Sequence, residues 1–314
     1  MKKIAFVFPG QGSQTVGMGK ELYENFDVAK KVFQAADEAL GFSITHMCFN
    51  GPEDELRKTV NTQPAILTVS IALYEVLKEH GIVPTIVAGH SLGEYSALVA
   101  AGAISFSDAV QLVRKRGLFM QEAVPLGEGS MAAILGSDRQ IVIDICQKAE
   151  AEFGAVQAVN FNCPGQIVIA GKTKAVEKAA EMLKTAGAKR AVILPVSAPF
   201  HSTLMKPAAE KLAIELSKIT INDAAIPVVA NVNGQTLTKS QDIEVSLVKQ
   251  ADHPVEWEEC VAEIVNFGAD TFIEVGPGKV LSSFTKKIAK EIANLNVEDS
   301  NSLEKTLDYF KEVR

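Results

Sequence analysis

One short segment of the chain has the residue types and spacing of a serine nucleophile. Residues 89–93 read GHSLG and fit the G-x-S-x-G pattern of a nucleophile elbow, with a buried strand pattern before them and an alanine-rich helix pattern after them. Glycines at both flanks remove Cβ atoms where a strand-to-helix turn crowds the backbone, and a helix N-terminus favours negative charge. The pattern alone is weak, and a serine that only caps the helix is the alternative. Its context leads us to predict that Ser91 is a nucleophile.

A serine nucleophile needs a general base within hydrogen-bond reach, and the chain has five histidines. Four are poor candidates. His80 lies at a helix end and His46 in a segment without a polar cluster, while His253 precedes a proline and His90 directly adjoins the nucleophile. We therefore predict that His201 is the base, since it lies where the chain returns to the main domain and follows the serine in chain order. No acid stands in an obvious orienting position, so a backbone or amide carbonyl is the alternative partner of the imidazole.

Two further segments have polar groups suited to an acyl-transfer site. Residues 9–14 read PGQGSQ, which matches neither the dinucleotide fingerprint nor a phosphate-binding loop with its lysine. We expect the backbone N–H groups of Gln11 and Leu92 to form an oxyanion hole, the alternative being an ordinary strand–helix connection. Residues 114–116 read RKR, usually a solvated helix face, but one arginine turned into a cleft, Arg116, would clamp a carboxylate in bidentate fashion.

The hydrophobic patterns predict the elements that position these residues. In residues 1–124 strand and helix patterns alternate, which indicates parallel strands and an α/β fold; the predicted elements are strands 3–8 and 85–88 and helices 21–40, 63–80, 92–101 and 107–122. The α/β pattern returns later, with helices 205–218, 256–267 and 279–289 and strands 226–230 and 271–275. Residues 294–314 are polar and are predicted to form a loosely held helix.

Between these two halves the pattern changes to β-α-β-β-α-β. The predicted strands are 130–135, 156–160, 166–170 and 190–196, and the helices are 138–153 and 174–186. This order is that of the split βαβ, ferredoxin-like unit. We therefore predict a hydrolase-like parallel-sheet subdomain made of residues 1–125 and 198–314, with a ferredoxin-like small subdomain inserted at residues 126–197.

Composition narrows the functional class. The 314 residues are 47% hydrophobic and carry a net charge of −7, so the basic excess typical of a nucleic-acid-binding protein is missing. The chain start does not resemble a secretory signal, and no apolar stretch approaches the ~20 residues of a membrane helix. The four cysteines are widely spaced, so we expect buried reduced thiols, no metal site and a cytoplasmic protein.

Taken together, these segments resemble the family of malonyl-CoA:acyl-carrier-protein transacylases, over about residues 3–290. The similar segments are FPGQGSQ at 8–14, GHSLGE at 89–94, Arg116-Gly117 with Met120-Gln121, residues 159–162, Phe200-His201-Ser202 with Met205, and Lys249-Gln250. The resemblance implies an α/β subdomain of hydrolase type with a ferredoxin-like one.

The resemblance also implies a role for each site residue. The serine at 91 would be acylated and His201 would be its base, oriented by the main-chain carbonyl of Gln250. Arg116 would bind the free carboxylate of malonate, the backbones of Gln11 and Leu92 would hold the oxyanion, and Asn160 and Asn162 would line the cleft near the small subdomain. Phe200, bulky beside His201, would disfavour a branched methylmalonyl group.

The expected reaction moves malonyl from malonyl-CoA to the phosphopantetheine thiol of acyl carrier protein, and it supplies fatty-acid elongation. No cofactor is implied, because the phosphopantetheine belongs to the acceptor, and we expect no nucleic acid, no membrane and a monomer. Two alternatives stay open from the residues alone: a thioesterase or esterase that shares Ser91 and His201, and a non-catalytic docking module in which both are dispensable.

Overall fold

The computed structural model describes residues 2–196 and 198–312. The strands are β1 (Ile4–Phe8), β2 (Ile86–Gly89), β3 (Gly129–Leu135), β4 (Val156–Cys163), β5 (Gln166–Lys172), β6 (Arg190–Ile193), β7 (Val228–Val229), β8 (Thr236–Leu237), β9 (Thr271–Val275) and β10 (Ala293–Val297). The helices are α1 (Lys20–Asn25), α2 (Asp27–Leu40), α3 (Ile44–Asn50), α4 (Glu53–Leu56), α5 (Thr59–Glu79), α6 (Gly93–Ala100), α7 (Phe106–Glu122), α8 (Arg139–Phe153), α9 (Thr173–Thr185), α10 (Lys206–Leu216), α11 (Ser240–Gln250), α12 (Trp257–Asn266), α13 (Val280–Ile288) and α14 (Ser300–Glu312).

The larger sheet has the strand order β10-β9-β1-β2-β7-β8, and its strands run parallel except for β8, which is antiparallel to β7. Strands β2 and β9 are buried along their whole length, as expected where helices cover both faces of a parallel sheet. The register pairs Phe8 with Gly89, so β1 and β2 end side by side. The loops that follow these two strands therefore begin at the same sheet edge.

The smaller sheet is antiparallel with the order β4-β5-β3-β6, and α8 and α9 pack on it around a separate apolar core. This is the connectivity of the split βαβ unit. The predicted fold class, an α/β parallel sheet with a ferredoxin-like unit inserted in it, is confirmed. The proposed boundary at residues 126 and 197 stays a prediction, and Ser197 lies outside the described residues.

The small sheet is tied to the large subdomain by backbone pairing between β4 and the segment before α12. Val255, just before α12, donates its N–H to the carbonyl of Val159 (2.8 Å) and accepts from the N–H of Phe161 (2.9 Å). Arg139 of α8 lies over the ring of Phe161 (3.7 Å to the centroid) and pairs with Glu256 at 2.8 Å. The pairings with Val255 and Glu256 hold β4 and α8 against the segment that leads into α12.

Several elements differ from the sequence prediction. Residues 21–40 form two helices, because Phe26 adopts an extended conformation (φ −129°, ψ 117°) between α1 and α2. Strand 190–196 is shorter, since β6 ends at Ile193. Helices α3, α4 and α11 were not predicted.

The prediction for the C-terminal segment was right in placing a helix there and wrong in describing it as loosely held and in missing a strand. Residues 294–314 were expected to form a loosely held helix, but β10 is a parallel edge strand beside β9, and α14 buries Leu303 and Phe310 in the main core. The sequence pattern did not indicate this strand because Asn294 and Asn296 interrupt its apolar residues. Residues 313–314 lie outside the described part of the chain.

Candidate active site

The predicted elbow is a sharp turn between β2 and α6, with Ser91 at its apex. Ser91 has φ 52°, in the left-handed region that L-residues rarely occupy. A Cβ atom on Gly89 would overlap the carbonyl of Gly93, and one on Gly93 would overlap the carbonyl oxygen of Phe8. Both flanking glycines are therefore required by the close approach of backbone to backbone, as the sequence pattern indicated.

An asparagine that the sequence analysis missed holds the elbow in place. The Oδ1 of Asn231 accepts from the backbone N–H of Ser91 (2.7 Å), and its Nδ2 donates to the carbonyl of Gly89 (2.7 Å). The backbone N–H of Asn231 donates to Oε2 of Glu94 at 3.0 Å. Asn231 follows β7, which pairs in parallel with β2. Polar residues that follow neighbouring parallel strands lie close together, so this signal could have identified Asn231.

Ser91 and His201 lie within hydrogen-bonding distance. Ser91 Oγ is 2.7 Å from His201 Nε2, and His201 Nδ1 is 2.8 Å from the carbonyl oxygen of Gln250. Since a carbonyl only accepts, Nδ1 must carry the proton, which leaves the lone pair of Nε2 to receive the proton of the serine hydroxyl. Burial, and secondarily the charge of Arg116, lowers the pKa of His201 to about 3, so the imidazole is neutral in the resting site.

Arg116 turns into the cleft although its neighbours in sequence face outward. Its side chain is 1% exposed, whereas Lys115 pairs with Glu215 at the surface (2.6 Å) and Arg114 lies over the ring of Phe42. Gly117 makes this burial feasible, because a Cβ there would come 2.6 Å from the carbonyl oxygen of Thr59 on α5.

The guanidinium of Arg116 is held by neutral acceptors. NH1 donates to Gln63 Oε1 (2.8 Å), and NH2 donates to Gln250 Oε1 (3.0 Å) and to Ser91 Oγ (3.2 Å). The Nε is buried without a hydrogen-bond partner in the described residues. Burial lowers the pKa of Arg116, but an arginine stays charged at any ordinary pH, so this is a positive charge one hydrogen bond away from the candidate nucleophile.

The two candidate oxyanion donors meet at the edge shared by β1 and β2. Gln11 and Leu92 both line the cleft, and neither backbone N–H donates to another group in the described residues. A Cβ at Gly10 would come 2.5 Å from the carbonyl oxygen of His90, so the loop after β1 lies directly against the elbow. The Gln11 side chain is anchored by its Nε2, which donates to Thr59 Oγ1 at 3.1 Å.

The cleft has a volume of about 280 Å³ and lies between the two sheets, with the elbow on one wall and β3, β4 and β5 on the other. Asn160, Asn162 and Phe200 line it, as predicted. Asn162 Oδ1 is 2.8 Å from His90 Nε2, so His90 is directed away from Ser91 and toward the small subdomain. The buried Oδ1 of Asn160 has no partner in residues 2–196 and 198–312.

Nothing in the described residues forms a metal-binding group of three or more histidine, cysteine or carboxylate side chains. Within the same residues, no helix combines the length and apolar character needed to cross a membrane.

Both the sequence and the fold of this chain are similar to those of known proteins. Residues 5–306 match the model of the acyl transferase domain family. The malonyl CoA-acyl carrier protein transacylase of Bacillus subtilis is 53% identical over 312 residues, which is 99% of this chain and 98% of that protein. The crystal structure of the enzyme of the same name from Clostridium perfringens superposes with a TM-score of 0.96 at 49% identity, covering 99% of this chain and 98% of the other.

A further solved structure shows a type II polyketide acyl-carrier protein, AntF, in complex with its malonyl-transacylase, PlMCAT. It has a TM-score of 0.95 and 45% identity, and it covers 98% of this chain and 99% of that chain.

The fold and the family match define an acyltransferase. Within that class, the chain belongs to the family of the malonyl CoA-acyl carrier protein transacylases.

Proposed function

We propose that this acyltransferase moves a malonyl group from malonyl-CoA to the phosphopantetheine thiol of an acyl carrier protein, through a malonyl ester on Ser91. The observation that carries the proposal is the position of Arg116, whose NH2 lies 3.2 Å from Ser91 Oγ. A buried cation at this distance from the acylated oxygen suits an acyl group that ends in a carboxylate.

The first half-reaction follows from the geometry of Ser91 and His201. Ser91 Oγ attacks the thioester carbonyl of malonyl-CoA while His201 Nε2 takes the hydroxyl proton. The negative charge that develops on the carbonyl oxygen is held by the N–H groups of Gln11 and Leu92, and one such donor is worth roughly 2.7–4 kcal/mol in related chemistry. The C–S bond then breaks, His201 gives its proton to the sulfur, and CoA leaves as a thiol.

The second half-reaction is the reverse with a different thiol. The phosphopantetheine thiol gives its proton to His201 and attacks the malonyl ester, and Ser91 recovers its proton as the C–O bond breaks. The carbonyl of Gln250 keeps the imidazole in the tautomer that both steps need. Because the first product leaves before the second substrate reacts, we expect ping-pong kinetics.

Recognition of the acyl group would depend on both walls of the cleft. A neutral acetyl group would leave the Arg116 guanidinium without an anionic partner, which disfavours its transfer. Phe200, which is 9% exposed and lines the cleft beside His201, would collide with the branch of a methylmalonyl group. Asn160 and Asn162, on β4, would contact the substrate from the wall formed by the small subdomain.

The acceptor would reach the cleft along α13, which supplies Val280 and Phe284 to its lining. An acidic carrier protein would need a basic surface on this chain. Five cations are candidates for it: Lys115, Lys189, Arg190, Lys286 and Lys287. Of these, Lys115 is engaged with Glu215. A monomeric state, a cytoplasmic location, a role in fatty-acid synthesis and the absence of a cofactor stay predictions.

Intact-mass measurement tests the proposal. The protein mixed with malonyl-CoA should gain the mass of one malonyl group. When holo acyl carrier protein is added, the enzyme should lose that mass and the carrier protein should gain it. Ser91→Ala should gain nothing, whereas Ser96→Ala, which changes another buried serine of the α6 region, should behave as the unmodified chain does. Release of free malonate without a carrier protein would indicate a thioesterase instead, and no adduct at all would indicate a docking module.

A further inference from the structure

A buried carboxylate lies next to the candidate site and has no part in the reaction steps above. Glu94 is on α6, three residues after Ser91, and is 2% exposed. Its Oε2 accepts from the backbone N–H of Asn231 (3.0 Å) and from Nε2 of Gln250 (2.8 Å). Burying a carboxylate costs free energy unless a nearby positive charge compensates it, and the buried cation facing it is Arg116.

The side chain of Gln250 stands between these two charges. Its Oε1 accepts from NH2 of Arg116 (3.0 Å), and its Nε2 donates to Oε2 of Glu94 (2.8 Å). Arg116 forms no direct ion pair with a carboxylate among the described residues, since no carboxylate oxygen lies within 4.0 Å of its guanidinium nitrogens. A direct ion pair would give the guanidinium an anionic partner of its own, whereas the amide of Gln250 keeps the two charges apart and binds each of them with a neutral group.

We propose that Glu94 is a specificity-tuning residue, a buried carboxylate held one amide away from Arg116. When it is ionised it compensates the guanidinium in the empty site, and it takes up a proton when a substrate carboxylate binds Arg116. The proposal rests on the proposed malonyl transfer. Two ionised carboxylates around one guanidinium repel each other in a site of low polarity, so the arrival of the second favours protonation of the first. Both hydrogen bonds to Glu94 fall on Oε2, which leaves Oε1 to carry the proton.

The surroundings of Glu94 make it the group that titrates near neutral pH. Burial raises the pKa of Glu94 to about 7, opposed by the donors Gln250 and Asn231 and by the charge of Arg116. The titratable or charged groups that face it are Tyr95 on its own helix, Arg116 on α7 and Cys260 on α12. Burial raises the pKa of Tyr95 to about 12 and raises the pKa of Cys260 well above its usual value, so both stay neutral while Glu94 titrates.

The direction in which pH should change malonyl recognition follows from the titration of Glu94. Below about pH 7 Glu94 is neutral, and Arg116 attracts the malonyl carboxylate without competition. Above about pH 7 Glu94 is ionised and opposes that carboxylate, which is itself ionised throughout because ordinary carboxylic acids titrate near pH 4. An acetyl group has no carboxylate and should not sense the change.

The test is the ratio of kcat/KM for malonyl-CoA to kcat/KM for acetyl-CoA, measured from about pH 5.5 to about pH 8.5. Ionisation of CoA and of His201 cancels in this ratio, because both substrates share them. In the unmodified enzyme the ratio should fall by about five- to tenfold as the pH rises through 7, a coupling of ordinary size between two sites. In Glu94→Gln, which keeps an oxygen acceptor for both donors, the ratio should not depend on pH.

Glu274→Gln is the matched control. Glu274 is also fully buried, and burial likewise raises its pKa to about 7, but its oxygens accept from the backbone of Leu281 and Ser282 rather than facing Arg116. This variant should keep the slope of the unmodified enzyme. A ratio that is flat in the unmodified enzyme, or a slope that survives in Glu94→Gln, overturns the proposal.

A second measurement needs only the unmodified enzyme and covers the case in which Glu94→Gln does not fold. Near pH 8 in weak buffer, acylation by malonyl-CoA should take up more protons per acylated enzyme than acylation by acetyl-CoA, and equal uptake would contradict the role of Glu94. If the enzyme forms no malonyl adduct at all, the proposed function itself fails, which is a different result from either of these.

Discussion

Ser91 and His201 share a backbone conformation that non-glycine residues rarely adopt, and their side chains meet at 2.7 Å. Their φ angles are 52° and 62°, and every other positive φ recorded among the described residues belongs to a glycine. Each such conformation costs on the order of 1–3 kcal/mol and persists only where the surrounding structure enforces it. Two strained turns from distant parts of the chain thus deliver the candidate nucleophile and base to one point.

The burial of His201 predicts a wide pH range for transfer. Its pKa is lowered to about 3 by burial and by Arg116, so the base is still unprotonated at pH 5, where an ordinary histidine would be mostly charged. We expect kcat/KM for acetyl-CoA, whose acyl group is insensitive to Glu94, to stay nearly constant from about pH 7 to about pH 5. An acidic limb centred near pH 6.5 would contradict this.

The same shift predicts a contribution to stability with a defined sign. The unfolded chain binds the proton of His201 near pH 6.5, while the folded chain binds it only near pH 3. The contribution of His201 to the free energy of unfolding is therefore fully present above about pH 6.5, and it is lost as the pH falls from about 6.5 toward 3. Urea unfolding at pH 7 and pH 5 should show a smaller loss in His201→Gln than in the unmodified chain; equal losses would argue against a depressed pKa.

Replacement of Arg116 should change which acyl group is transferred. Arg116→Ala removes the cation beside Ser91 Oγ, and we expect kcat/KM for malonyl-CoA to fall by about 100-fold or more, with acetyl-CoA relatively favoured. Arg114→Ala is the control, since Arg114 lies two positions earlier and contacts Phe42 outside the cleft. A malonyl preference unchanged in Arg116→Ala would rule out its role in recognition.

Phe200 should limit the size of the acyl group. Phe200→Ser opens space beside His201, so we expect transfer from methylmalonyl-CoA to rise by about tenfold relative to malonyl-CoA, the usual value of one methyl group in a fitted pocket. Competition assays with both thioesters would measure this. If methylmalonyl is still refused, the restriction lies elsewhere in the cleft.

Asn231 should affect turnover more than substrate binding. Asn231→Ala removes both side-chain hydrogen bonds from Asn231 to the elbow. It leaves the partly buried N–H of Ser91 without this acceptor, at a cost of about 1 kcal/mol or more. We expect kcat to fall by about tenfold or more with little change in KM, because Asn231 does not line the cleft.

Asn294→Ala provides the comparison for Asn231. It also removes an amide hydrogen bond, from Asn294 Nδ2 to the carbonyl of Ser282 (2.6 Å), but far from the elbow. It should lower the free energy of unfolding without lowering kcat. Equal kcat losses in the two variants would mean that Asn231 is merely structural.

The parts of the site that the sequence predicted are those with a local signature. The turn at Ser91 is marked by its two glycines, and His201 remained after four other histidines were set aside. The carbonyl that holds His201 could not be found from residue types, because every residue has a backbone carbonyl, and it was assigned to Gln250 only through the family resemblance. The burial of Arg116 was similarly ambiguous within a run of three cations.

The residues that were missed depend on tertiary packing. Glu94 and Asn231 are ordinary polar residues in sequence, and they become buried only because β7 pairs with β2 and carries Asn231 to the elbow. The edge strand β10 has the same explanation, since its partner β9 rather than its own pattern determines its conformation. Periodicity describes one segment at a time and contains no information on which segments meet.

The close approach of Gly93 to the carbonyl of Phe8 packs the elbow directly against the end of β1 and the loop that follows it. The two segments that carry the N–H groups of Leu92 and Gln11 touch backbone to backbone, so the main chain sets the position of one donor relative to the other. The opposite wall includes Met131, Val168 and Phe200. Substitutions at these three side chains would therefore reshape the space for the acyl group and leave in place the main-chain groups that would stabilise the reacting carbonyl.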